Sequence, residues 1–174
     1  YVRAISLSDG KDRMLILSAD LLVFPQPIAD QFIKRISKKT QIPRQAILLA
    51  TTHTHSGTGA IGHGFLFEQV FGRYNSEIVE GLAGRLEWAA LQAVENSKPI
   101  HWATAKNGTL LVDLLENRAV PGAPIDPALG VFLLEQEGEV RAVLVHMAAH
   151  PTLMEAQDFR ISADFPGEIS PGQL

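Results

Sequence analysis

The stretch ILLATTHTHSG, residues 47–57, decides how the fold is interpreted, because a short apolar run leads directly into two histidines. Side chains alternate along a strand with a period of two, so His53 and His55 project to the same side of an extended chain. Neutral imidazole is the commonest metal ligand in proteins, and zinc favours it. The stretch therefore predicts a buried strand that ends at a metal site, although paired histidines at strand ends also occur in purely structural roles.

A third histidine, His150, follows another apolar run, Val143–Val145. Two strands that each deliver a histidine at their end suggest one shared site. A structural role remains the alternative for His150 as well. The other three histidines of the chain, His63, His101 and His146, have no comparable context.

The length and composition of the chain restrict its number of domains and its possible partners. The chain has 174 residues, of which 46% are hydrophobic, and this predicts a single domain over residues 1–174. The net charge is −4, and the one basic cluster, Lys34–Lys39, fits the solvated face of a helix, which argues against a nucleic-acid partner. The absence of cysteine excludes disulfides and thiol chemistry. No apolar run approaches the length of a membrane span.

Alternating and apolar runs predict the secondary structure. Strand, helix and strand in succession indicate an α/β fold, with a layered mixed β-sheet and flanking helices. The predicted strands are Tyr1–Leu7, Arg13–Val23, Ala46–Ala50, Ile100–Ala105, Thr109–Leu115, Val131–Leu134 and Val140–Met147. The predicted helices are Ile28–Thr40 and Asn75–Asn96.

Two further features bear on the site. Asp20 lies inside an apolar run, so its carboxylate must be paired or hydrogen-bonded, either as structural support or close to the site. The glycine-rich segment Ser56–Gly72 is predicted to be a loop and carries Phe65, Phe67 and Phe71. These rings either border an apolar substrate or tuck into the core.

Four short motifs occur in the order in which neutral, non-lysosomal ceramidases carry them. Thr51–Gly57 resembles the family's A-T-H-T-H-S-G-P-G, and Asn117-Arg118 stands where the family has N-R-S. His150–Met154 resembles H-P-T-S-M, and Ile161–Gly167 resembles I-S-x-D-x-x-G. The shared order makes the resemblance more specific than any one motif, and it implies a partial catalytic domain, the front portion of the family's own.

The resemblance implies a zinc-dependent amidase that cleaves the N-acyl bond of ceramide to give sphingosine and a fatty acid. By that resemblance His53 and His150 bind zinc, while His55 and Arg118 stand beside the metal to stabilise the oxyanion. The family completes its zinc site with a Glu and a Tyr that come later than the part matched here. The implied partner is an N-acyl lipid, with membrane-surface contact through that substrate. The resemblance also implies a secreted or periplasmic location. The residues themselves give no information on the location of the protein.

The chain departs from the family pattern at Thr58, Ala119 and Leu153, where the family has Pro, Ser and Ser. These departures would also suit a relative with another substrate. Gly167–Gly172 resembles the family's G-D-x-S-P-N, whose serine is associated with attack on the amide, so Ser170 is a candidate catalytic residue. This segment directly follows the I-S-x-D motif here, whereas the family separates the two widely. Either a stretch is missing or the match arises by chance.

The residue types suit amide hydrolysis. Zinc keeps one position open for water or substrate, and a charged Arg118 or protonated His55 can stabilise the oxyanion. Asp20 and Asp164 are the candidate acids for orienting metal-bound histidines, and Asp164 fits a loop cap equally well.

Two other interpretations stay open. His-x-His after a strand also occurs at the start of amidohydrolase barrels, and a non-catalytic domain could bind a lipid or a partner instead.

Overall fold

The computed structural model describes residues 1–154 and 157–169. The chain divides into two compact units: a first unit of residues 1–97 together with the segment from Pro151 onward, and a second unit of residues 98–150. The expectation of a single domain over residues 1–174 stays a prediction. None of the helices in the described part is both long and apolar enough to cross a membrane.

The first unit contains a mixed three-stranded sheet in the order β1-β2-β3. Its strands are β1 (Val2–Ser8), β2 (Arg13–Ala19) and β3 (Ile47–Thr51). β1 and β2 pair antiparallel, and β2 and β3 pair parallel. The turn between β1 and β2 is closed by Asp9, whose carboxylate accepts hydrogen bonds from the amides of the second and third residues after it. The predicted strands are confirmed, although β2 ends four residues before Val23.

Two long helices cover this sheet. Helix α1 (Gln26–Thr40) connects β2 to its parallel neighbour β3, and it buries Ile28, Phe32 and Ile36, which follow the predicted spacing of four. The second helix is capped at its start by Asn75, whose side chain accepts hydrogen bonds from the amides of Glu77 and Ile78 at 2.9 and 3.2 Å.

The glycine-rich segment corrects one prediction. It was expected to be a loop throughout, but Phe65–Phe71 forms a short helix, α2, so the long helix Ser76–Glu95 is α3. Gly64 and Gly72 flank α2 with φ values of 117° and 83°, and glycine permits such abrupt changes of direction. Phe65 is 78% exposed, whereas the other two phenylalanines are half-buried and contact each other. The three rings therefore do not share one environment.

The second unit is an antiparallel sheet in the order β4-β5-β6. Its strands are β4 (His101–Asn107), β5 (Leu129–Gln136) and β6 (Glu139–Met147). β5 and β6 are joined by the two residues Glu137-Gly138, both with positive φ, as a tight hairpin turn with the sheet's twist requires.

One predicted strand of the second unit is wrong. Thr109–Leu115 is not a strand but a series of turns, and β4 pairs with β5 instead. The side chain of Asn107 accepts a hydrogen bond from the amide of Thr109 at 2.9 Å, which turns the chain away from a hairpin. The carbonyl of Leu111 then accepts from the amides three and four residues later, which closes a helical turn. The predicted class, α/β with flanking helices, is confirmed as two three-stranded sheets, with a short helix α4 at Phe165–Ile169.

Candidate functional site

Three histidines form the candidate site. His53, His55 and His150 each offer a ring nitrogen, and these nitrogens all lie within 4.8 Å of one another. Tetrahedral zinc with Zn–N bonds of about 2.1 Å holds its nitrogen ligands roughly 3.4 Å apart. Small side-chain rotations would therefore bring the three imidazoles to a common zinc ion. The donor set also suits zinc chemically, since imidazole is a preferred ligand of this metal.

The two histidines of the His-x-His motif converge for a different reason from the predicted one. β3 ends at Thr51, and His53 has a φ of +64°, so the motif lies in a turn and not on an extended strand. A non-glycine residue in this left-handed region is uncommon and marks a segment held by its surroundings. The rings of His53 and His55 meet edge to face, with centroids 5.4 Å apart. The turn, and not strand alternation, directs both rings to one place.

Hydrogen bonds to the segment after β2 fix His53. Its backbone amide donates to the carbonyl of Leu21 at 3.0 Å. Its Nδ1 lies 2.8 Å from the carbonyl oxygen of Leu22. A carbonyl only accepts, so this contact puts the proton on Nδ1 and the lone pair that a metal needs on Nε2. Metal-binding histidines commonly have this arrangement, because it sets the tautomer and the direction of the ring.

Thr54, between the two histidines, anchors the turn. It is fully buried, while its two neighbours are exposed. Its hydroxyl donates to the carbonyl of Ser162 at 2.9 Å and accepts from the amide of Ser56 at 3.2 Å. The amide of Ser162 in turn donates to the carbonyl of Ser56 at 2.9 Å. This anchor was not predicted from the sequence, because no local pattern connects residue 54 to residue 162.

The segment after His150 is held by Asp164. One carboxylate oxygen of Asp164 accepts from the amides of Leu153 and Met154, at 2.9 and 3.3 Å. The other accepts from the amide of Phe165 at 2.7 Å. Asp164 is buried and has a φ of +56°, which Asp tolerates better than most residues. These contacts correspond to the loop cap, one of the two roles considered for this residue.

Asp20 has a structural environment. Both oxygens of its buried carboxylate accept from the guanidinium of Arg3, at 3.0 and 3.1 Å. Its backbone carbonyl faces Gly57, where an added Cβ would lie 2.8 Å from the oxygen. Gly57 therefore lets the end of the histidine motif approach the backbone just after β2 closely. This contact explains the glycine in physical terms.

Two further site residues were predicted, Arg118 and Ser170. Arg118 is exposed on a bend of the second unit. Its neighbour Asn117 shapes that bend, because its side chain accepts from the amides of Ala119 and Val120 and donates to the carbonyl of Pro124. The catalytic role of Arg118 stays a prediction. Ser170 lies outside the described residues, so its role also stays a prediction.

The solved structures that are similar to the chain include two ceramidases. A ceramidase complexed with C2 matches with a TM-score of 0.76 and 20% identity over 95% of this chain. A neutral ceramidase from Pseudomonas aeruginosa matches with a TM-score of 0.74 and 20% identity, again over 95% of this chain. The chain spans only 28% and 29% of the length of these two structures. No family model and no curated protein matches the sequence.

At this identity the likeness concerns the fold. The α/β arrangement described above matches a part of the neutral ceramidase fold. It thereby confirms the architecture that the motif resemblance implied.

Proposed function

We propose that this chain is part of a zinc-dependent amide hydrolase that acts on N-acyl lipids of the ceramide type. The cluster of three imidazoles supports this proposal most strongly, because it gathers two motifs that are distant in sequence. The fold likeness to neutral ceramidases supports it independently.

The roles follow from the chemistry of the side chains. His53 and His150 would hold the metal, which when bound polarises a carbonyl and lowers the pKa of water to about 7. His55 lies beside them, where its protonated ring can donate a hydrogen bond to the oxyanion of the tetrahedral intermediate. Arg118 is assigned a second oxyanion contact on its motif alone. Ser170 is assigned the attack on the amide, also on its motif alone.

His55 has a second role open to it. Its ring nitrogen belongs to the same cluster as the other two, so it could bind the metal as a third ligand. The two roles make different predictions for His55→Ala. Loss of a ligand lowers zinc affinity, whereas loss of an oxyanion donor leaves zinc affinity unchanged and lowers turnover.

The experiment is hydrolysis of an N-acylsphingosine by the full-length protein, with fatty acid and sphingosine both quantified. We expect both products in equal amounts, loss of activity with a chelator and recovery with zinc. His150→Ala removes a metal ligand and with it the polarisation of the carbonyl. It should lower kcat/KM by about 100-fold or more, because the loss of a single oxyanion contact already has an effect of that size. The matched control is His101→Ala, an exposed histidine on β4 outside the cluster. Equal activity of the two variants would contradict the proposal.

The sheet topology favours this function over an amidohydrolase barrel. Such a barrel is built from parallel strands that alternate with helices. Here β2 and β3 are the single parallel pair among the described strands, and the second unit is wholly antiparallel. Zinc binding without cleavage of a lipid amide would point to a metal-dependent hydrolase of another substrate class, and absence of zinc would point to a non-catalytic binding domain.

A further inference from the structure

We propose that Thr54 and Asp164 are positioning residues, which hold the two histidine-bearing segments against residues 162–164 and thereby set the affinity of the metal site. The inference rests on the proposed metal site. In this proposal the hydrogen bonds of Thr54 and Asp164 cause the close approach of the three imidazoles. Neither residue is itself proposed as a metal ligand or as a catalytic residue.

Thr54 fixes the turn that carries His53 and His55. Thr54 is the one fully buried side chain in residues 53–57, and its hydroxyl both donates and accepts. With the backbone bond between Ser56 and Ser162, these contacts close a ring of three hydrogen bonds. These bonds hold the backbone of the turn, and with it the directions in which the side chains of His53 and His55 leave the chain.

Asp164 fixes the segment that follows His150. Pro151 is fully buried, and the amides of Leu153 and Met154 are bound by the carboxylate of Asp164. Asp164 lies two residues after Ser162, and its amide donates to the Ser162 hydroxyl at 3.0 Å. The residues 162–164 thus bind the two segments from one short piece of chain.

Partners that orient metal ligands without touching the metal typically change metal affinity by about 10- to 100-fold when mutated. We therefore expect Thr54→Val, which keeps the side-chain shape and removes the hydroxyl, to raise the zinc Kd by about 10- to 100-fold. Thr54→Ser keeps the hydroxyl and should keep wild-type affinity. The measurement is competition with a chromophoric chelator in the full-length protein, together with the visible spectrum of the cobalt-substituted form.

A matched control separates positioning from general stability. Thr40, at the end of α1, makes the same pair of contacts: its hydroxyl donates to the carbonyl of Ile36 and accepts from the amide of Ile42. Thr40→Val should lower Tm and leave the zinc Kd and the cobalt spectrum unchanged. A folded Thr54→Val with wild-type zinc affinity would overturn the inference. So would a Thr54→Ser variant as weak as Thr54→Val.

A second variant applies if Thr54→Val fails to fold. Asp164→Asn keeps the tolerance for positive φ but has one acceptor oxygen in place of two, and it should weaken zinc binding. Asp9→Asn is its control, because the carboxylate of Asp9 also accepts from two backbone amides but lies in the turn between β1 and β2. It should leave zinc affinity unchanged. Wild-type affinity in Asp164→Asn would overturn the inference. A wild-type protein that binds no zinc overturns both proposals, whereas zinc binding without amide hydrolysis contradicts the proposed function alone.

Discussion

The hydroxyl of Thr54 donates a 2.9 Å hydrogen bond to the carbonyl of Ser162, 108 positions further along the chain. This contact joins the His-x-His turn to the segment whose next acid, Asp164, caps the loop after His150. Three stretches of sequence that carry separate motifs are therefore parts of one hydrogen-bonded arrangement. His53 and His55 are exposed, whereas Thr54 and Asp164, which hold the segments around the site, are buried.

Gly57→Ala tests the close approach of the motif to β2. An added Cβ would lie 2.8 Å from the backbone oxygen of Asp20, and that backbone cannot move aside cheaply. We expect the free energy of unfolding to fall by about 1–3 kcal/mol, measured by chemical denaturation. Gly81→Ala is the control, because Gly81 lies exposed in α3 with nothing within 4 Å. It should increase stability by up to about 1 kcal/mol, and equal stability of the two variants would contradict the account.

The ion pairs of Glu87 on α3 with Arg35 and Lys39 on α1 predict that stability depends on pH. Burial raises the pKa of Glu87, but hydrogen bonds from Lys39 and Arg35, each 2.5 Å long, outweigh burial and leave the pKa below its usual 4.5. A lowered carboxyl pKa stabilises the folded state above pH 4.5, and this contribution is lost as the pH falls through the folded pKa.

Glu87→Gln removes that contribution. We expect it to cost about 1–3 kcal/mol near neutral pH and much less in strong acid, so the two stability curves should converge as the pH falls below 4.5. The measurement is denaturant unfolding at a series of pH values. Parallel curves across that range would show that the carboxylate of Glu87 does not supply the difference.

Arg118→Ala tests the role assigned by motif. If the guanidinium stabilises the oxyanion, the variant should retain zinc and lose about 100- to 1,000-fold in kcat/KM, the effect of removing one oxyanion donor. Zinc content and steady-state kinetics of the full-length enzyme provide the check. Arg141→Ala is the control, since Arg141 is an exposed arginine of the same unit paired with Glu139. An unchanged kcat/KM for Arg118→Ala would remove this residue from the mechanism.

The apolar face of α2 predicts a preference for long acyl chains. Phe65, Leu66 and Val70 are all more than 70% exposed, and α2 is bound to the stretch after the histidine motif through the amide of Ala60, which donates to the carbonyl of Phe71. Each buried CH₂ contributes about 0.8 kcal/mol, roughly fourfold in affinity.

We therefore expect KM to fall as the acyl chain lengthens. Phe65→Ser should weaken this trend, while Trp88→Ser, at an exposed aromatic residue on α3, should not. Faster hydrolysis of short acyl amides by the wild type would contradict a groove at α2.

Sequence periodicity predicted the elements that bury a continuous face. The spacing of Ile28, Phe32 and Ile36 located α1, and the Asn75 cap located the start of α3. It failed where local side-chain contacts redirect the chain. Asn107 bonds to its own following backbone and ends β4, so the hairpin expected there does not form.

The candidate site, too, was predicted from the sequence only in part. The motifs predicted that the histidines of residues 53–55 and 150 share one site, and the structure brings their rings together. The geometry that does so was not predictable from local patterns. His53 adopts a positive φ, which a residue in an extended strand does not have. The hydroxyl of Thr54 donates to Ser162, which lies more than a hundred positions away in the sequence.

The most direct test of the account is zinc stoichiometry of the full-length protein and of its His150→Ala and His101→Ala variants after dialysis against a small excess of metal. The three-imidazole cluster predicts one tightly bound zinc per chain in the wild type and in His101→Ala, and loss of that zinc in His150→Ala. Full zinc content in His150→Ala, or none in the wild type, would contradict the central claim that these histidines form a metal site.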